Sequence, residues 1–278
     1  MYEPMLRIFQ DREHGPRVEV AFGSLPAGTV YLTVVRTVRG EAVPVRGALR
    51  MRVAGVAKPM DYEAPFDVES TYHGVAYTAA GVKLSETGKS SITVASEDPD
   101  FARIHNPLDP STSVLVRFEA SAVAKRSRHF GGEVMYPIGR SVGIAVTTGR
   151  SGYKGLTLDL IAETIEQSQR IDALFGDHRR KRLPILCVRV PQSHYRMRLP
   201  PVLFVAVLNP DEEPIKTDDA SIWRLTGEEV SPPAPALVVP LLSRDDLDAA
   251  YETRDAMDAD HLTRYDMSTR YDLAGGAG

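Results

Sequence analysis

The residues of this 278-residue chain whose types could bind a transition metal or act as nucleophiles are seven histidines and one cysteine. The histidines are His14, His73, His105, His129, His178, His194 and His261. They form no HExxH sequence, and no two have the spacing that places two ligands on one helix face. We therefore expect surface or turn positions for all of them and no metal site. The single Cys187 excludes an intramolecular disulfide and a zinc site built from several cysteines.

Sequence motifs of other catalytic chemistries are also missing. There is no GxSxG elbow, no Walker loop and no GxGxxG after a strand-like segment. The segment Thr148–Gly152 has the glycines of a phosphate loop, but it lacks the lysine and the following helix, which favours a simple turn. Spacing cannot identify the carboxylate pair of a glycosidase, and one Trp leaves few platforms for a sugar. We predict a protein that is not an enzyme and needs no cofactor.

Charge is concentrated in two basic clusters, Lys125–His129 and His178–Arg182. The plain interpretation of each cluster is a solvated loop. The alternative is electrostatic docking to an acidic neighbour, or a basic face towards DNA in a channel. The formal charge of -4 gives no indication of a general nucleic-acid or anionic-membrane binder.

A short phrase recurs four times near the C-terminus, after a proline-rich run: Ser243–Leu247, Thr253–Met257, Thr263–Met267 and Thr269–Leu273. Such a segment is too short and polar to bury a core of its own. It is either an acidic extension without a partner or a docking tail that binds neighbouring subunits. For the second interpretation, the candidate subunit contacts are Arg244, Leu247, Tyr251, Arg254, Met257, Arg264, Tyr265, Met267, Arg270 and Tyr271.

The rest of the sequence predicts a mainly β protein made of two β-sandwich-like domains. Twenty prolines and twenty-one glycines separate short segments, which favours strands joined by turns. About seven alternating segments precede residue 96, a pattern typical of an immunoglobulin-like or fibronectin type III-like sandwich. The absence of a cysteine pair favours the fibronectin version. No run is long and apolar enough to span a membrane, and the N-terminus has no signal-peptide core.

A second β domain is expected after the Pro/Asp patch Glu97–Asp100. Its strand-like segments include 142–146, 156–160, 202–207 and Ser221–Leu225. One stretch, roughly 161–175, has helical spacing, and Ile165, Ile171 and Leu174 are expected to pack on the sheet. The expected organisation is an N-terminal arm (1–16), a fibronectin type III-like β-sandwich (17–98), a β domain with one helix (99–230), a proline-rich linker (231–242) and a repeat-containing docking tail (243–278).

Several phrases, in their order along the chain, resemble minor tail proteins of siphophages that infect actinobacteria. They are Val43–Gly47, Asp61–Phe66, Asn106–Pro110, Gly139–Ser141, the strand–helix passage Gly155–Phe175, Trp223–Leu225 and the repeated tail. The second domain is also similar to the ring-forming domain of distal tail proteins, where a sandwich carries one helix. The resemblance implies a structural protein of a phage tail tip or baseplate, made in the host cytoplasm and located in the virion. It brings no catalytic residues.

The partners that this resemblance implies are copies of the chain in a ring oligomer such as a hexamer, and other phage tail proteins. The host cell surface is a further candidate partner, a membrane is not, and DNA is one only if the protein lines the tail channel. The alternative function is a carbohydrate- or cell-wall-binding module protein, and a wall-degrading tail enzyme ranks third. Clustered exposed aromatic residues in the first domain would favour the binding module. A buried carboxylate pair in a cleft would favour the enzyme.

Overall fold

The computed structural model describes residues 2–11, 14–120, 122–177, 181–192, 199–215, 219–233, 251 and 253–260. Strands dominate these residues, and the two helices among them are short, so the predicted mainly β, sandwich-like fold class is confirmed. The chain divides by its contacts into two compact units, Met1–Pro232 and Pro233–Gly278. None of the helices described has the length and apolar character needed to cross a membrane.

The N-terminal half is a sandwich of two antiparallel sheets. The smaller sheet has the order β1-β2-β6, with strands β1 (Met5–Phe9), β2 (Arg17–Ala21) and β6 (Met60–Asp61). The larger sheet contains β3 (Tyr31–Val38), β4 (Glu41–Pro44), β5 (Met51–Arg52), β7 (Glu69–Tyr77), β8 (Lys83–Glu86) and β9 (Ser90–Thr93). Val18 and Val20 are fully buried between the sheets, as their alternation with half-exposed neighbours predicts. The expected N-terminal arm thus contributes a strand to the sandwich.

The second half is built on one antiparallel sheet that closes on itself. Its strands are β10 (Phe101–Asn106), β11 (Asp109–Phe118), β14 (Leu156–Thr157), β15 (Leu160–Ala162), β16 (Ile185–Arg189), β17 (Val202–Pro214) and β18 (Ser221–Glu229). Their order is β14-β18-β15-β11-β10-β16-β17, and an additional pairing of β17 with β18 closes six of these strands, with β14 attached to β18 outside the closed part. Closure satisfies backbone groups that an open sheet leaves at its edges. The predicted strand Ser221–Leu225 is confirmed as the start of β18.

Each half has its own hydrophobic cluster, and the boundary between them lies near the predicted Pro/Asp patch. Contacts nevertheless join both halves into one compact unit. The expected division of this unit into two β domains, 17–98 and 99–230, therefore stays a prediction.

The helix predicted in the second half is present but shorter than expected, since α1 covers Ile165–Asp172. Thr164 caps its N-terminus by accepting a hydrogen bond from the Gln167 amide. Ile171 and Leu174 are fully buried in the core, as predicted. The prediction for Ile165 is wrong, because this side chain is 51% exposed. Ile165 lies six positions before Ile171, which turns it about 120° away from the buried face of the helix.

A two-stranded sheet, β12 (Phe130–Met135) and β13 (Ile144–Arg150), forms a hairpin outside the closed sheet. Every residue of both strands is exposed. The strand predicted over 142–146 is confirmed from Ile144 onwards, whereas Val142 lies in the connecting loop, and the half-buried face that its alternation suggests is wrong. The pair Gly131–Gly132 lies within β12.

Candidate functional site

The first candidate site is the apolar surface of the β12–β13 hairpin, which we call the hairpin surface. Ile138 and Val142 in the connecting loop are 106% and 76% exposed. Val134 and Met135 are neighbours on β12 and therefore point to opposite faces of the hairpin, yet both are about half exposed, at 54% and 52%. The hairpin surface comprises Phe130, Val134, Met135, Tyr136, Ile138, Val142, Ile144 and Val146. An exposed apolar area of this kind marks an interaction site or an aggregation risk.

An isolated two-stranded hairpin is marginally stable in water, so its base needs anchoring. The Arg128 guanidinium lies 3.8 Å from the ring centroid of Tyr153 and 3.4 Å from a carboxylate oxygen of Glu229. The same Glu229 oxygen accepts a hydrogen bond from the Tyr153 amide at 2.8 Å. Arg128 of the basic cluster Lys125–His129 therefore anchors the hairpin to the body, and the docking alternative for the cluster stays a prediction.

The second basic cluster is only partly described, since His178–Arg180 lie outside the described residues. Arg182 donates to the Ala173 carbonyl oxygen at 2.7 Å, just beyond the end of α1, and forms an ion pair with Asp109. A cation at the C-terminal end of a helix satisfies its carbonyl groups and its dipole. Arg182 thus has an internal role of the kind found for Arg128.

The second candidate site is a buried polar face, which we call the junction, where strands β10 and β16 meet the N-terminal sandwich. Arg103 and His105 alternate along β10 with residues of the hydrophobic core, as Cys187 and Arg189 do along β16. The register places Arg103 opposite Arg189 and His105 opposite Cys187. All four side chains are buried. These strands are therefore covered on both faces, with an apolar core on one side and the junction on the other.

Arg189 connects the two halves across the junction. Its Nε donates to the Ala64 carbonyl oxygen at 2.9 Å, and its Nη1 donates to that of Pro16 at 2.8 Å. The guanidinium carbon lies 4.0 Å from the centroid of the Phe66 ring, within cation–π range. Because this cation is fully buried, burial lowers the pKa of Arg189 to about 10.

The other junction charges are paired with carboxylates. Arg36 donates to Asp61 at 2.6 Å, and the Tyr72 hydroxyl donates to the same carboxylate at 2.9 Å. Arg46 forms an ion pair with Glu63 and also donates to the Pro107 carbonyl oxygen of the second half. Pairing offsets the cost of removing these charges from water. The junction is thus a connected network that spans both halves.

Three junction residues form a group suited to a metal ion: Glu63, His105 and Cys187. One ligand atom from each lies within 4.8 Å of the others, and all three residues are buried. Burial, followed by the nearby guanidinium groups of Arg189, Arg46 and Arg103, lowers the pKa of His105 well below its usual value. Burial and the charge of Glu63 raise the pKa of the Cys187 thiol. The imidazole and the thiol are therefore neutral at pH 7.

The sequence does not predict this group, and the expected surface or turn position is wrong for His105, which is 2% exposed on β10. The three residues come from three elements far apart in the chain, so no local spacing connects them. The one available signal was the alternation of Ala102 and Ile104 with Arg103 and His105, which is the period of a strand. His178, His194 and His261 lie outside the described residues.

The predicted subunit contacts of the tail are described only in part. Tyr251, Arg254 and Met257 are within the described residues, and Arg254 and Met257 lie in α2 (Arg254–Asp260). Thr253 accepts a hydrogen bond from the Ala256 amide at 3.2 Å, as a helix N-cap does. The remaining candidates, Arg244, Leu247, Arg264, Tyr265, Met267, Arg270 and Tyr271, lie outside the described residues.

Comparison of the whole chain with protein-family models, curated proteins and solved structures gives no match.

Proposed function

We propose that the chain is a structural subunit of a phage tail tip or baseplate that assembles with copies of itself into a ring. The observation that carries the proposal is the hairpin surface. Its side chains are apolar on both faces of a two-stranded sheet that has no core of its own. A partner that covers these faces would remove apolar area from water at about 25 cal/mol per Å².

A second copy of the chain is the partner that fits this surface best. A two-stranded sheet has two free edges, and each presents unpaired backbone donors and acceptors to another strand. An identical hairpin offers a matching edge and matching apolar faces. If one edge binds the opposite edge of the next copy, the contact is head-to-tail, and a repeated head-to-tail contact closes into a ring when its rotation permits.

The C-terminal repeats add a second kind of contact in this proposal. They belong to a compact unit of their own, Pro233–Gly278, and they carry tyrosine, methionine and leucine anchors among charges. A tethered segment binds a neighbour at high effective concentration without a large rigid interface. In the proposal, the tail therefore recruits other tail proteins or adjacent subunits, while the hairpin builds the ring.

No described feature favours the alternative of a carbohydrate-binding module. Among the described residues of the N-terminal sandwich, Tyr2 is the one aromatic residue among the strongly exposed large hydrophobic side chains. A wall-degrading enzyme is not favoured either, because the buried carboxylates Asp61 and Glu63 are each paired with a guanidinium group.

The test is the amount of this protein in purified phage particles. The variant Met135→Ser/Ile144→Ser changes a directly opposed pair on one hairpin face. The matched control Val56→Ser/Val82→Ser removes side chains that are 57% and 63% exposed elsewhere. We expect the hairpin variant to be depleted from particles and the control to be incorporated normally. Normal incorporation of both variants would refute the hairpin as the assembly surface.

A further inference from the structure

We propose that Glu63, His105 and Cys187 form a binding site for a divalent transition-metal ion of the zinc class. The site lies inside the junction and is independent of the assembly role proposed for the hairpin. Its ligand atoms lie within 4.8 Å of one another, close enough to converge on one ion after small side-chain adjustments. A thiolate, an imidazole and a carboxylate are the three ligand types that zinc sites combine.

The strands hold two of the ligands in place. His105 and Cys187 are directly opposed in the antiparallel pair β10–β16, so their side chains project from the same face of the sheet. Glu63 follows β6 and is fixed by its amide, which donates to Asp61 at 2.9 Å. The site is therefore organised by backbone pairing and by the junction network, and it does not depend on a loop closing.

A polar atom without a partner also points to a ligand. His105 Nε2 is buried and accepts or donates no hydrogen bond. A buried polar atom in this state costs free energy relative to its hydrated form, so native proteins rarely leave one unsatisfied. Coordination of an ion within the cluster would engage the imidazole and fix its tautomer.

The ligand types select the class of ion. The Cys187 thiol loses its proton to the bulk buffer as the sulfur–metal bond forms, and no electrons are transferred. The resulting thiolate and the Glu63 carboxylate place two negative charges on the ion, and the guanidinium groups of Arg46 and Arg189 stay beside them as countercharges. Sulfur and imidazole ligands favour zinc-class ions over magnesium or calcium, which take oxygen ligands.

One of the three ligands, Glu63, lines a cavity of about 380 Å³ together with Arg46, Pro201 and Phe204, whereas His105 and Cys187 lie deeper in the junction. Arg46 is also paired with Glu63 and holds its carboxylate, as outer partners do in metal sites. Three protein ligands leave one position of a tetrahedral ion for a water molecule.

The experiment titrates Co²⁺ into the full chain, purified without a histidine tag and treated with chelator. Thiolate-bound Co²⁺ has a near-ultraviolet charge-transfer band, and because the chain has a single cysteine, such a band can come only from Cys187. We expect the band to saturate at one Co²⁺ per chain and to disappear when Zn²⁺ displaces the cobalt. Binding by exposed histidines alone would give no such band.

Three variants make the result specific. Cys187→Ser should abolish the band, and His105→Asn should weaken Co²⁺ binding by more than about tenfold. His73→Asn is the matched control, because His73 also has a buried ring nitrogen without a partner but is not part of the cluster. It should bind as the unaltered chain does, and circular dichroism checks that each variant is folded. If Cys187→Ser fails to fold, the band of the unaltered chain decides. Absence of the band at saturating Co²⁺, or equal weakening by His73→Asn, would overturn the site.

Discussion

The hairpin surface and the junction reverse the usual distribution of side chains in opposite ways. On the hairpin, apolar residues such as Ile138 and Val142 are exposed. In the junction, charged residues such as Arg189 and Asp61 are buried. Soluble proteins bury charges only when they are paired or hydrogen-bonded, and they rarely expose large apolar patches without a function. Each region therefore needs a partner. The two regions differ in whether that partner lies within the same chain.

The junction finds its partners within the chain. Arg36 and Arg46 are paired with carboxylates of their own half, and Arg46 and Arg189 donate to carbonyl oxygens of the opposite half, so the network fixes how the two halves meet. The hairpin has no such match among the described residues. We infer that the junction supports a single arrangement of the subunit, whereas the hairpin serves contacts between subunits. The following predictions test this division, beginning with the largest expected effect.

Removing a junction charge should strongly destabilise the fold. Asp61→Asn leaves the buried Arg36 guanidinium without its anionic partner, and we expect the free energy of unfolding to fall by about 3–5 kcal/mol. Urea denaturation measures this change. The control Glu163→Gln breaks an ion pair with Arg117 in which both side chains are 47% exposed, and should cost less than about 1 kcal/mol. Equal losses in the two variants would mean that the buried ion pair of the junction contributes no more stability than an exposed one.

The two isoleucines of α1 should differ in how much each contributes to the stability of the fold, because one is buried and the other is exposed. Ile171→Ala opens a cavity in the core and should lower the free energy of unfolding by about 2–5 kcal/mol. Ile165→Ala removes a half-exposed side chain and should cost less than about 1 kcal/mol. Thermal and urea unfolding of both variants checks the ranking. A larger loss for Ile165→Ala would contradict the orientation of the helix described above.

Substitutions on the hairpin should leave the stability of the isolated subunit nearly unchanged. Val134→Ser and Val146→Ser lie on an element whose two faces are both open to water, so each should alter the free energy of unfolding by no more than about 0.5 kcal/mol. The measurement is urea denaturation at a concentration low enough to keep the chain monomeric. A loss of several kcal/mol would place these residues in a core.

Deleting residues 241–278 should have the smallest effect on stability. These residues belong to a separate compact unit, and so short a segment gains little from local order. The melting temperature of the remaining chain should stay within error of the full chain, while incorporation into tails falls. Unfolding of the shortened chain would instead make the tail part of a core, and normal incorporation would exclude its docking role.

The sequence predicts whether a segment forms a strand or a helix, because the spacing of its apolar residues depends on neighbouring residues only. The alternation of Val18 and Val20 gave a strand with one buried face, and Ser221–Leu225 gave the start of β18. The spacing around Ile171 likewise predicted a helix. The candidate contacts in the tail stay a prediction, since most of them lie outside the described residues.

The sequence does not predict which parts of the protein cover a strand, because these come from residues that are distant along the chain. Val142, Ile144 and Val146 alternate like a half-buried strand, yet nothing in the described chain covers them. His105 was expected at the surface, yet the N-terminal sandwich buries it opposite Cys187. In both cases burial depends on the tertiary packing around the strand, and the local sequence pattern contains no information about that packing.

Mass photometry of the purified full chain tests the central claim most directly, since the proposal requires the hairpin to join copies of the chain. We predict a species with a mass several times 30.5 kDa, corresponding to a closed ring, and its replacement by monomer in Met135→Ser/Ile144→Ser. A full chain that is monomeric throughout the accessible concentration range would contradict the account. So would a ring that persists unchanged in the hairpin variant.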